Sequence, residues 1–237
     1  MLVIGGGFIT GSLATIATRL AGGQQAHWVV IPTAATPDDH GPPDFIVRSG
    51  IPYTVLDTDN RLVADSESFV APLRSATAVW IKGGRQWRLV DAYAGTRTEQ
   101  ALRDVLQRGG LIAGSSAGAT IQGSFLVRGS PRSNRILMAP GYERGFGFLQ
   151  NVAIDQHVIV RHREADLAHV VAAHPGLLGI GIDESTAIVV QQNIMQVIGQ
   201  DVVLITDGAQ HAGRPYYPLR PGSRFDLATW SVLPPAK

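Results

Sequence analysis

Leu111-Ile112-Ala113-Gly114-Ser115-Ser116-Ala117-Gly118-Ala119 is an apolar run that passes through a cluster of small residues into a helix-compatible stretch. A strand buried on both faces of a parallel sheet reads as just such a continuous apolar run. The Gly-x-Ser-x-Gly pattern centred on Ser116 is that of a nucleophile held on a sharp strand-to-helix turn. Small neighbours at 114 and 118 let the backbone bend tightly while the hydroxyl projects. The next amide, Ala117 N–H, then lies at a helix N-terminus, where an oxyanion is stabilised. A serine-rich N-cap would use the same residues. Ser115 is the second candidate nucleophile, without the symmetric glycine flanks.

Working outward, Leu2–Gly5, Trp28–Pro32, Tyr53–Asp57, Ala78–Lys82 and Gly110–Gly114 are bounded by Gly, Pro or Asp and read as buried strands. Amphipathic segments separate them. In Arg97–Arg108 the apolar positions Ala101, Leu102, Val105 and Leu106 share one face, with Gly109 as C-cap. Further helices are expected from Thr10 or Gly11 and from near Gln86. In the C-terminal third, Gly179–Ile182, Ala187–Gln191, Ile194–Ile198 and Val202–Thr206 read as closely spaced strands, with turns at Gln192-Asn193 and Gly199-Gln200. The pattern predicts one α/β domain over residues 1–237: three layers, a largely parallel sheet with helices on both faces, and an antiparallel C-terminal edge.

Composition narrows the chemistry. Of 237 residues 45% are hydrophobic and 16% charged, enough apolar material for a large core. Twenty basic against nineteen acidic side chains, without a basic stripe, argue against nucleic acid or an anionic membrane as partner. The chain has no cysteine, which excludes a disulfide scaffold, thiolate metal sites and a cysteine nucleophile. No metal and no cofactor is expected. No apolar run approaches the ~18–20 residues that cross a bilayer. No signal peptide is readable, so a cytoplasmic protein is the default, with a trimmed leader left open. Gly5-Gly6-Gly7-Phe8-Ile9-Thr10-Gly11 fails as a dinucleotide loop, because Thr10 stands where the third glycine is required.

A nucleophilic serine needs a base, and the base needs an orienting group. His157 has the most suggestive setting of the seven histidines: it follows Asp155-Gln156, and Arg161 and Arg163 come after it at positions that would share one face of an extended segment. Asp183-Glu184 ends one apolar run and precedes another, and adjacent residues on a strand face opposite ways, so only one of the two would face a site. Ile81-Lys82-Gly83-Gly84-Arg85-Gln86 also follows an apolar strand. If that strand neighbours the one ending at Ser116, Gly84 N–H is a second oxyanion donor; an ordinary strand-to-helix turn reads equally well.

Taken in order, Val3-Ile4-Gly5-Gly6-Gly7, Ile31-Pro32-Thr33-Ala34, Gly83-Gly84-Arg85-Gln86, Gly114–Ala119, Gly145–Leu149, Asp155-Gln156-His157 and Gly181–Ala187 resemble the cyanophycinases and their peptidase E relatives. These are serine peptidases on a class I glutamine amidotransferase-like α/β fold. The resemblance implies Ser116 as nucleophile, His157 as general base and Glu184 as the acid that orients it. It implies Gly84 and Ala117 as oxyanion donors and Gln86 as a site-lining residue. Arg85, Asp155, Arg161 and Arg163 join Gln86 as expected substrate-binding residues. Departures bear on specificity: Val158 stands where cyanophycinases have Phe, Asp166 where they have a third Arg, and Arg85 where Asp is common. The expected partner is a peptide substrate, an Asp-containing or β-aspartyl peptide cleaved through an acyl-enzyme. The alternatives are a peptidase E-like α-aspartyl dipeptidase and a catalytically silent binding protein of the same fold. An amidotransferase acting on glutamine would need a cysteine at the elbow. The oligomeric state, a homodimer included, is left open.

Overall fold

Leu2–Ile4 (β1), Trp28–Ile31 (β2), Tyr53–Val55 (β3), Ala78–Ile81 (β4) and Leu111–Ser115 (β5) pair in parallel in the computed structural model, which describes residues 1–235. Parallel neighbours need crossovers. Helix Gly11–Leu20 lies between β1 and β2, and helices Gln86–Tyr93 and Arg97–Gln107 both lie between β4 and β5, close to the expected bounds. Thr10 caps the first by accepting from Leu13 N, and Gly109 follows the last at φ +87°.

The remaining strands are Gly123–Phe125 (β6), Leu149–Gln156 (β7), Leu178–Ile182 (β8), Thr186–Gln191 (β9), Ile194–Gly199 (β10), Val203–Thr206 (β11), Tyr217–Leu219 (β12), Arg224–Asp226 (β13) and Ser231–Leu233 (β14). The larger sheet runs β14-β13-β10-β9-β1-β5-β4-β2-β3, antiparallel from β1 outward through β9 to β14. This is the expected α/β arrangement with its antiparallel C-terminal edge. A second sheet, β12-β11-β8-β7-β6, takes two of the strands read from the C-terminal third, so Gly199-Gln200 carries the chain between sheets. The hairpin at Gln192-Asn193 joins β9 to β10 as expected, with Gln192 at φ +53°. Tyr53–Val55 departs from the reading: it is exposed, because β3 is the outermost strand and pairs only with β2.

Alternation sorts the core. Val29, Ile31, Val79, Ile81 and Ile112 pack with Leu89, Tyr93, Leu102 and Val105 on one face. Leu2, Ile4, Trp28, Val30 and Trp80 pack with Leu13 and Ala17 on the other. Val3, Ile188 and Val197 meet Ile154, Ile180 and Ile182 of the second sheet. That packing brings the carboxyl ends of β1, β5, β7 and β8 together, the end at which open α/β sheets place their sites.

Candidate active site

Ser116 follows the last residue of β5 at φ 53° and ψ −111°, a conformation that L-residues adopt only when their surroundings impose it. The turn is tight: a Cβ on Gly114 would collide with the Gly118 carbonyl, and one on Gly118 with the Ile81 carbonyl. Ser116 N donates to Ile4 O at 3.0 Å, tying the elbow to β1. From this position Ser116 Oγ lies 2.9 Å from His157 Nε2. His157 Nδ1 in turn lies 2.5 Å from Glu184 Oε1. Of the two serines it is Ser116 that meets the histidine, and of the two acids it is Glu184.

His157 is buried and sits at φ 54°, its amide donating to Gly5 O at 3.1 Å. Burial pushes its pKa below the usual 6.5, the Glu184 hydrogen bond opposes this, and Arg161 and Arg163 lower it further. The imidazole is therefore neutral near pH 7, with Nε2 able to accept the serine proton once Nδ1–H points at Glu184.

The glycine triplet at the N-terminus, unproductive as a dinucleotide loop, is the seat of this pair. A Cβ on Gly6 would stand 2.5 Å from His157 Nε2, and one on Gly7 2.7 Å from Glu184 Oε2. Gly6 also adopts φ +118°, where side chains are strained. Gly6→Ala is expected to displace the imidazole and cut the rate of Ser116 acylation at least ~100-fold, since misplacement of about 1 Å costs that much. Labelling by a fluorophosphonate checks it, and near-wild-type labelling would overturn it. Sequence spacing gave no sign of this seat, because residues 5–7 meet 157 and 184 only through the pairing of β1 with β5 and β9.

β4 does neighbour β5, as the Gly84 expectation required. Gly83 abuts Ser116: a Cβ there would be 3.1 Å from Ser116 Cβ. Gly84 is at φ +138°, pressed against Ala34, and Arg85 N donates to Ala34 O at 2.8 Å. Gln86 is buried and donates from Nε2 to Val127 O at 2.9 Å, bracing the 127–130 segment. Arg85 Nη2 reaches Ser130 O at 2.7 Å on the same segment. Both residues thus tie the turn after β4 to residues 127 and 130. Ala117 opens the four-residue helix Ala117–Thr120 directly after the elbow.

The model of peptidase family S51 matches residues 1–198. The chain belongs to peptidase family S51. It is 32% identical over 203 residues to a cyanophycinase of Nostoc sp. (strain PCC 7120), covering 76% of this chain and 67% of that one. It is 34% identical over 204 residues to a cyanophycinase of Synechococcus elongatus, covering 82% and 62%. The crystal structure of a peptidase from an acI-B1 actinobacterium superposes with a TM-score of 0.75 at 24% identity, covering 95% of both chains, which shows a shared fold. The S51 chain is a serine-type peptidase, a hydrolase.

In this S51 chain the arginines after the histidine are arranged differently from the sequence expectation. His157 and His162 both have positive φ, so residues 157–162 turn instead of extending. Arg161 is exposed while Arg163 is buried, and they share no face. Arg163 Nη1 donates to Gln156 O at 3.1 Å, and burial lowers its pKa to about 10. Asp155 is 0% exposed and clamped by Arg128, whose Nε and Nη2 donate to it at 2.9 and 2.8 Å. It is therefore not a substrate contact but an anchor for the strand end that delivers His157. Breaking such a buried pair is costly, ~3–5 kcal/mol, because an unpaired charge is left behind. Asp166 accepts from Arg128 Nη2 at 2.5 Å, so part of its charge is already compensated. Arg128, Arg135, Arg161, Arg163, Asn134 and Asp166 line a polar cavity of about 530 Å³. Val158 points away, buried with Val202 and Leu204. Among the described residues no helix is long and apolar enough to cross a membrane, and no cluster of three or more His, Asp or Glu side chains is placed to hold a metal.

Proposed function

We propose that the protein hydrolyses an amide bond of short Asp-containing or β-aspartyl peptides through a Ser116–His157–Glu184 triad. One observation carries the proposal: the unbroken hydrogen-bonded path from Ser116 Oγ through both imidazole nitrogens to the Glu184 carboxylate. His157 Nε2 takes the Ser116 proton as Oγ bonds to the substrate carbonyl carbon. The resulting oxyanion is met by Gly84 N–H and Ala117 N–H. The C–N bond breaks as the imidazolium returns its proton to the leaving amine. Water, deprotonated by the same nitrogen, then releases the acid and restores the serine.

The cavity with four arginines supports an acidic group on the substrate, with Arg161 and Arg163 nearest the base. Asp166 sets this chain apart there, and the buried Arg128 that it pairs with makes the reversal of charge tolerable. The test is a panel of cyanophycin, β-Asp-Arg, β-Asp-Leu and α-Asp-X peptides. Serine-dependent cleavage of β-aspartyl members is the expected result. Cleavage of α-Asp-X alone would place the activity with α-aspartyl dipeptidases, and neither turnover nor fluorophosphonate labelling would leave a binding protein.

The general base works only when neutral, so kcat/KM is expected to rise through the His157 pKa and level off above it. That midpoint is expected below the ordinary 6.5, because burial and the two arginines lower it. Removing a nearby positive charge raises the pKa of a histidine, so Arg161→Ala should move the acid limb to higher pH. A midpoint at or above 6.5 in the wild type, or one that Arg161→Ala leaves in place, would contradict this.

A further inference from the structure

We propose that Asp183 is a positioning residue for the general base, acting through the turn that follows His157; the inference rests on the reading of His157 as that base. Asp183 is 2% exposed, and its Oδ1 accepts from Ile159 N at 2.9 Å and from Val160 N at 3.2 Å. These are the second and third residues after His157. The same turn is closed by Arg161 N donating to His157 O at 3.0 Å and by Arg163 N donating to Val158 O at 2.7 Å.

His157 needs such support. A positive φ at a residue bearing a Cβ persists only where its surroundings over-determine it. Gly5 O fixes the residue from its amide side, and Glu184 fixes the ring. What remains is the chain on the carboxyl side of His157, and Asp183 holds it.

Asp183 is itself well anchored. Its amide donates to Val202 O at 3.3 Å, and its carbonyl lies against Gly5 so closely that a Cβ on that glycine would collide with it. Asp183 and Glu184 are neighbours directly after the end of β8. One dipeptide therefore grips the histidine twice, Glu184 by its imidazole and Asp183 by the backbone beyond it. Neither carboxylate oxygen of Asp183 bonds the ring, so its effect on chemistry passes entirely through geometry.

The experiment measures fluorophosphonate labelling of Ser116, and kcat and KM on whichever peptide the wild type cleaves, for Asp183→Ala, Asp183→Asn and Asp183→Glu. Asn keeps an oxygen acceptor at the same place; Glu keeps the charge and moves the oxygen. Asp183→Ala is expected to lose about 100-fold in labelling rate and kcat with KM nearly unchanged. Asp183→Asn should recover most of the loss, and Asp183→Glu should not. If Asp183→Ala fails to fold, the Asn and Glu pair decides the question alone. Equal damage in Asn and Glu, or a loss confined to KM, or wild-type labelling in folded Asp183→Ala, would overturn the proposal. A wild-type protein that does not label at all would instead remove the triad reading, and this inference with it.

Discussion

Replacing Ser116 by alanine is expected to lower kcat by about a millionfold, the size of loss seen when the nucleophile of a triad peptidase is removed, and to abolish fluorophosphonate labelling. The loss should be almost purely chemical. Ser116 Oγ bonds His157 and carries no structural hydrogen bond of its own, while the elbow is held by backbone contacts with Ile4 and by Gly114 and Gly118. Thermal unfolding should therefore stay close to wild type. Ser115, at the last position of β5, cannot substitute, because the hydroxyl that reaches the imidazole is the one beyond the bend. Residual turnover within about 10-fold of wild type would disprove the assignment of the nucleophile.

Glu184→Gln is expected to cost about 10,000-fold in kcat, the order of loss when the acid of a triad becomes an amide. The carboxylate can only accept, so it fixes the proton on His157 Nδ1 and leaves Nε2 as the acceptor facing Ser116. An amide can turn its NH2 towards Nδ1. The imidazole proton then moves to Nε2, where it points at the serine and blocks proton transfer. Glutamine nearly preserves shape, so the damage should come without loss of stability. Glu184→Ala, which leaves room for water, should be no worse than Glu184→Gln in kcat. Steady-state kinetics on one cleaved peptide decides it: a loss of less than about 10-fold in Glu184→Gln would show that the acid does not set the tautomer.

Part of the candidate site is legible in the sequence, for identifiable reasons. Ser116 announces itself because a nucleophile elbow needs small residues in a short local pattern. His157 stands out because a polar residue follows an apolar run, whereas the choice of Glu184 over Asp183 comes only from the family resemblance, since the two neighbours read alike in sequence. The glycine triplet was not legible as a seat for the base, since its steric partners lie about 150 and 180 residues away in the chain. Asp155 reads as a site residue through proximity to His157, whereas its burial against Arg128, 27 residues away, is a tertiary fact. The alternation of Arg161 and Arg163 failed because period-two reasoning holds only on extended backbone, and positive φ at His157 ended the strand. At the sheet level, Tyr53–Val55 carried the composition of a strand without showing that it would lie at an edge. The C-terminal strands declared their type but not their partners, so the second sheet emerged only with β7.

The position of β1 has a consequence for the protein's birth. This strand leaves the ribosome long before its antiparallel neighbour β9, which begins at Thr186, and the acid of the proposed triad is residue 184. Synthesis proceeds from the N-terminus at ~5–20 residues per second, so the serine elbow is made seconds before the groups that arm it. On the proposed triad, a growing chain thus carries an unarmed nucleophile, and any product ending before the 180s is expected to stay inert towards its neighbours.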